Sequence, residues 1–178
     1  MVILIGGSSH VGKTLLAQKL LEKYKYPCTS LDHLKMGLIR SGMTELTVND
    51  DYEMRYFLWK PVSEMIKTAI ENNQNMILEG CYIPGEWQQS FTKEYLEHIR
   101  CVFVVMSEDY IRKNIQSIAE NASVIERRLC DEIDVERLVM CSKNFKKDCE
   151  TFRINCLEIT DRYDIDEIAS RACELMEI

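Results

Sequence analysis

Glycine and proline are scarce, at 7 and 3 of 178 residues. Flexible or extended linkers, collagen-like character and low-complexity tracts are thereby excluded. No self-similarity recurs at solenoid periods, so the chain reads as one domain over residues 1–178. Long apolar runs are missing and no basic leader precedes the first apolar segment, so neither a membrane span nor a signal peptide is expected, and a cytoplasmic location is. Positive charge is in deficit, with 22 Lys+Arg against 29 Asp+Glu and a net charge of −7. No basic cluster interleaved with aromatics stands out, which argues against nucleic acid as the main ligand. The 8 cysteines form no C-x-x-C pair and have no histidine at zinc-ligand spacing, so they read as small apolar packing residues in a reducing compartment.

What the sequence does contain is Gly7-Ser8-Ser9-His10-Val11-Gly12-Lys13-Thr14, which fits G-x-x-x-x-G-K-S/T at every fixed position. A random chain of this length would show the octapeptide on the order of 1% of the time. Its context sharpens the signal. Val2 to Gly6 is an apolar, β-branched run suited to a buried parallel strand, and Leu16, Leu20 and Tyr24 recur at helical spacing immediately afterwards. Strand, glycine loop and helix is the order a phosphate-binding loop requires. Its backbone N–H groups would cradle the β-phosphate, Lys13 would reach the β- and γ-phosphates, and the Thr14 hydroxyl would ligate Mg²⁺. ATP and Mg²⁺ are therefore the expected cofactors.

Five apolar runs are candidate strands: 2–6, 28–31, 75–79, 101–106 and 156–159. Helical patterns fill four of the intervals, so the expected fold is α/β: a three-layer P-loop architecture with a five-stranded parallel sheet and helices on both faces. Ser107 ahead of Glu108-Asp109, and Asp164 three residues ahead of Glu167, are helix-start signals. Residues 50–73 are helical in pattern, but Pro61 is expected to kink that helix or start a new one. The polar stretch 116–134 is either a small helical lid over the site or a solvated helical face.

The chemistry beyond the loop is narrowed by two carboxylates and one missing motif. The guanine-reading N-K-x-D spacing does not occur; Asn144 and Asp148 are too far apart for it. Glu79 ends the third strand run and is delivered to the carboxyl edge of the sheet, where it holds Mg²⁺ through water, binds a substrate hydroxyl, or merely closes the strand. Asp32 follows the second run, where it serves as general base toward an acceptor hydroxyl, as a substrate ligand, or as the N-cap of a helix over 34–40.

Taken together, the Gly-Gly-Ser-Ser-x-x-Gly-Lys-Thr loop, the Asp at the end of the second strand and the polar lid-like segment resemble the adenylate-kinase-like group of small P-loop kinases. The loop is similar to that of the chloramphenicol phosphotransferase family, and Leu78-Glu79-Gly80 followed by Pro84 is similar to 2-phosphoglycerate-kinase-like proteins. The resemblance implies that Asp32 is a catalytic base and that lid arginines, here Arg127 and Arg128 with Arg137 beyond them, neutralise the transferring phosphoryl group. It implies an adenine site beside Thr160-Asp161-Arg162-Tyr163. Arg40 and Arg55 stand where a monophosphate-binding arginine would be sought. The expected activity is transfer of the ATP γ-phosphate to a hydroxyl of a small molecule. A nucleoside-monophosphate kinase is the nearest alternative, and an ATP-binding regulatory or toxin-like module acting on a protein partner is the alternative from another class.

Overall fold

Residues Val2–Gly7 are six in succession that are buried, as a strand covered on both faces requires. This strand, β1, lies at the centre of the sheet. The computed structural model describes residues 1–121 and 133–178. Within them the remaining strands are β2 (Cys28–Ser30), β3 (Met76–Glu79), β4 (Ile99–Met106) and β5 (Asn155–Ile159). All pairings are parallel and the order is β2-β3-β1-β4-β5. Ile5 is in register with Glu79 on one side and Val102 on the other, so the ends of β1 and β3 emerge side by side at the carboxyl edge.

The helices are α1 (Lys13–Tyr24), α2 (Leu31–Arg40), α3 (Asp51–Glu71), the single turn α4 (Lys93–Leu96), α5 (Glu108–Glu120), α6 (Val135–Phe152) and α7 (Ile165–Met176). Alternation along β1 splits the core in two. Ile3 and Ile5 pack with Leu16 and Leu20 of α1, Ile111 of α5 and Ala172 of α7. Val2 and Leu4 pack on the opposite face with Leu58, Val62 and Ile66 of α3 and Phe145 of α6. The three-layer α/β architecture read from the sequence is the one observed. Among the described residues no helix is long and apolar enough to cross a membrane.

Local signals held where they rested on capping chemistry. The Ser107 side chain accepts from the Tyr110 amide, and Asp164 accepts from the amides of Asp166 and Glu167. Three expectations are corrected. Pro61 lies inside the single helix α3, so of the two alternatives the start of a second helix is the one overturned. The proline stands on the exposed face, where the carbonyl that loses its amide partner faces water instead. Asp32 is neither at a strand end nor a cap, because β2 stops at Ser30 and α2 starts at Leu31, which puts Asp32 in the first helical turn. Cys28 is exposed rather than packed inside, whereas Cys101, Cys149 and Cys173 are buried as expected. Of the segment 116–134, residues up to Glu120 belong to α5, and Arg127 and Arg128 lie outside the described residues.

Candidate functional site: a phosphate loop and its facing polar network

The loop between β1 and α1 is built from close approaches that only glycine permits. Gly7 has φ 120°, and a Cβ there would fall 1.9 Å from the Val104 carbonyl oxygen of β4. Gly12 has φ 81°, and a Cβ there would fall 1.9 Å from the Tyr163 hydroxyl oxygen. Both positions combine a left-handed backbone with no room for a side chain. Between them Val11 is buried in the core and fastens the loop, while Ser9, His10 and Thr14 are half-buried around its rim.

Ser8 is fully buried and held from two sides. Its amide donates to the Val104 carbonyl at 3.2 Å, and its hydroxyl lies 2.8 Å from that of Ser142 on α6. Ser142 Oγ also accepts from the Met106 amide, at 3.4 Å, so one buried hydroxyl joins the loop, the end of β4 and α6. Lys13 opens α1 with 7% of its surface exposed, and its ammonium donates to the Ser8 carbonyl at 2.6 Å. The lysine thus folds back across the mouth of its own loop, ready to exchange that carbonyl for an anion. Tyr163 closes the other side, and burial pushes its hydroxyl up to about 12.

Glu79 ends β3 beside this loop and is 2% exposed. Its neighbour Gly80, at φ 153°, packs against Leu31 and donates its amide to the Ile5 carbonyl at 3.1 Å, which ties the turn after β3 to β1. Cys81 follows. Burial pushes its thiol above the ordinary value, Lys13 draws it down, and Asp32, Cys141 and Asp51 push it up. The phosphate loop after β1, Asp32 after β2 and Glu79 at the end of β3 lie at the carboxyl edge of three neighbouring strands.

Facing the loop is a network that sequence reading missed. Lys35 of α2 donates to the Tyr82 hydroxyl, which donates to Asp51 Oδ1 at 2.9 Å. The Lys35 ammonium also stands 3.9 Å from Asp32 and 4.0 Å from Asp51, and Arg137 at the start of α6 reaches the other Asp51 oxygen at 3.1 Å. Of the two arginines considered for acceptor binding, Arg40 ends α2 on the exposed surface. Arg55 stacks on the Phe145 ring, 4.8 Å from its centroid, with Asp148 Oδ2 at 3.9 Å. Burial raises Asp148 above the ordinary carboxylate range, with Arg55 drawing it down and Glu86 raising it further.

No protein-family model and no curated protein matches the sequence. Solved structures do match in fold. A gluconokinase from Sinorhizobium meliloti 1021 aligns at TM-score 0.58 and 14% identity, over 99% of this chain and 91% of that one. A shikimate kinase from Bacteroides thetaiotaomicron aligns at TM-score 0.57 and 16% identity, over 100% and 99%. A sugar kinase from Janibacter sp. HTCC2649 aligns at TM-score 0.57 and 12% identity, over 99% and 94%. The chain has the fold of these small P-loop kinases from end to end.

Proposed function

We propose that this protein is an ATP- and Mg²⁺-dependent kinase that transfers the γ-phosphoryl group to a hydroxyl of a small molecule. The observation that carries the proposal is the meeting, at one sheet edge, of a glycine-hinged loop bearing Lys13 with the carboxylates Asp32 and Glu79. The fold shared with gluconokinase, sugar kinase and shikimate kinase structures supports it.

The residues fit a magnesium nucleotide. Lys13 lies across the loop with its ammonium on the Ser8 carbonyl, where an anion can replace it, and the Thr14 hydroxyl and the buried Glu79 carboxylate are the oxygen donors a hard cation takes, Glu79 through water. When bound, Mg²⁺ would spread the charge developing between the β- and γ-phosphates. The chain's own groups do the rest. Loop amides from Ser9 to Thr14 and the helix N-terminus hold the phosphates, and Lys13 leaves the Ser8 carbonyl to pair with them. Asp32 orients the acceptor hydroxyl and takes its proton as the oxygen attacks, then releases that proton to water. Most of the acceleration would come from alignment and electrostatics, because the transition state of phosphoryl transfer is loose. Arg127 and Arg128, outside the described residues, are proposed to close over the transferring group.

A hydroxyl acceptor fits better than a phosphate acceptor. Arg40 is exposed, and Arg55 lies against the Phe145 ring with Asp148 facing it, so a monophosphate would have to compete with that carboxylate for its guanidinium. Incubation with γ-labelled ATP, Mg²⁺ and a panel of alcohols, sugars and hydroxy acids tests the reading. Label should appear on a small-molecule acceptor. If ATP is bound or hydrolysed but no acceptor is labelled, the kinase assignment fails.

A further inference from the structure

Lys35, Arg55 and Arg137, all among the described residues, each face a carboxylate. Lys35 stands between Asp32 and Asp51, Arg137 reaches Asp51, and Arg55 faces Asp148. Asp51 is common to two of these pairs. It opens α3, and the buried Tyr82 hydroxyl donates to it at 2.9 Å, which fixes the carboxylate toward Lys35. From this arrangement we propose that Asp51 is a specificity-determining residue that makes the site select an uncharged hydroxyl compound over the corresponding hydroxy acid. The inference rests on the kinase reading above and names the class of its acceptor.

Two physical arguments carry it. An incoming carboxylate seeking Lys35 or Arg137 would have to displace Asp51 from them, and would then lie among Asp32, Asp51 and its own charge, where like charges repel. A neutral hydroxyl meets no such barrier. The Lys35–Asp32 and Lys35–Asp51 separations, 3.9 and 4.0 Å, are those of ion pairs and exceed hydrogen-bond length. The Tyr82 hydroxyl already bridges Lys35 and Asp51, and an alcohol between Lys35 and Asp32 would do the same, accepting from the ammonium and donating to the carboxylate. Arg137 is largely exposed and its bond to Asp51 is screened, so Lys35, only 12% exposed, is the cation whose neutralisation matters most.

The test uses matched alcohol and acid pairs as probes: glycerol with glycerate, and glucitol with gluconate. Labelled phosphate transfer is measured for the wild type, Asp51→Asn and Asp51→Glu. The wild type should favour the neutral member of a pair in kcat/KM by about tenfold or more, the equivalent of about 1.4 kcal/mol. Asp51→Asn frees Lys35 and Arg137 and should move that ratio toward the acid by about tenfold, while Asp51→Glu should keep it. Because the readout is a ratio within one preparation, a variant that is merely less well folded leaves it unmoved. A wild type that prefers the acids, or a ratio unaltered in Asp51→Asn, overturns the proposal. Absence of transfer to every probe with ATP binding intact contradicts the kinase reading itself, and the proposal falls with it.

Discussion

The hydroxyls of Ser8 and Ser142 lie 2.8 Å apart, both fully enclosed, although 134 residues separate them in sequence. Ser8 belongs to the phosphate loop, and Ser142 to the helix that starts with the Arg137–Asp51 pair. α6 therefore touches both halves of the cleft, the donor half through Ser142 and the acceptor half through Arg137.

Ser142→Ala removes one hydroxyl and leaves the Ser8 hydroxyl and the Met106 amide short of a partner. Stranding buried polar groups costs about 1–3 kcal/mol, a Tm decrease of roughly 3–10 °C for a chain of this size. Nucleotide affinity should fall as well, because Ser8 loses the group that holds it. Calorimetry and an ATP titration check both, and Ser142→Thr should recover part of each loss.

Gly12→Ala should be worse than an ordinary glycine substitution. The left-handed backbone costs an alanine about 1–2 kcal/mol, and its methyl would meet the Tyr163 hydroxyl oxygen at 1.9 Å. The double variant Gly12→Ala with Tyr163→Phe removes that atom but leaves the ring carbon at 2.9 Å and the backbone strain. Chemical denaturation should show partial recovery in the double variant. Full recovery would mean that the hydroxyl contact alone sets the cost.

A charged clasp joins α5 to α6 across the segment between them. Arg112 bonds Glu136 at 2.7 and 3.0 Å and Glu108 at 2.9 Å, and Lys143 also reaches Glu108. Hydrogen bonds from Lys143 and Arg112 lower Glu108, and those from Arg112 lower Glu136, below their ordinary value of 4.5. A carboxylate lowered on folding contributes stability that is whole above its unfolded pKa and is lost as pH falls through the folded one. The stability difference between wild type and Arg112→Gln should therefore be constant at neutral pH and shrink in acid, starting near pH 4.5. Salt should reduce it throughout, since the clasp is exposed. Denaturant midpoints across a pH series give the comparison.

How much of this was legible in the sequence depends on whether the signal was local. β1, the phosphate loop and the caps Ser107 and Asp164 were readable because periodicity, glycine placement and cap chemistry act over a few residues. Strand ends came within two residues of those observed. Asp32 was placed at the right edge of the sheet for a different local reason: Ser30 closes β2 and the carboxylate rides on the first turn of α2. Pro61 starts no second helix, because its ring lies on the exposed face of α3, which sequence did not reveal. The Ser8–Ser142 strut and the Lys35–Tyr82–Asp51 network had no signal at all. Their partners are distant in the chain, of common residue types, and brought together only by the sheet order and the packing of α6. Of Arg55, sequence supplied the position but not the Phe145 and Asp148 contacts that occupy it.

The most direct test of the central claim is to follow the γ-phosphate of ATP in Lys13→Ala and Asp32→Asn beside the wild type, with ATP affinity measured in parallel. Lys13→Ala should lose both tight ATP binding and transfer. Asp32→Asn should bind ATP as the wild type does, yet transfer to an alcohol about 10²–10⁴-fold more slowly. Undiminished transfer and ATP affinity in Lys13→Ala would contradict the account, and near-normal turnover in Asp32→Asn would remove the hydroxyl acceptor from it.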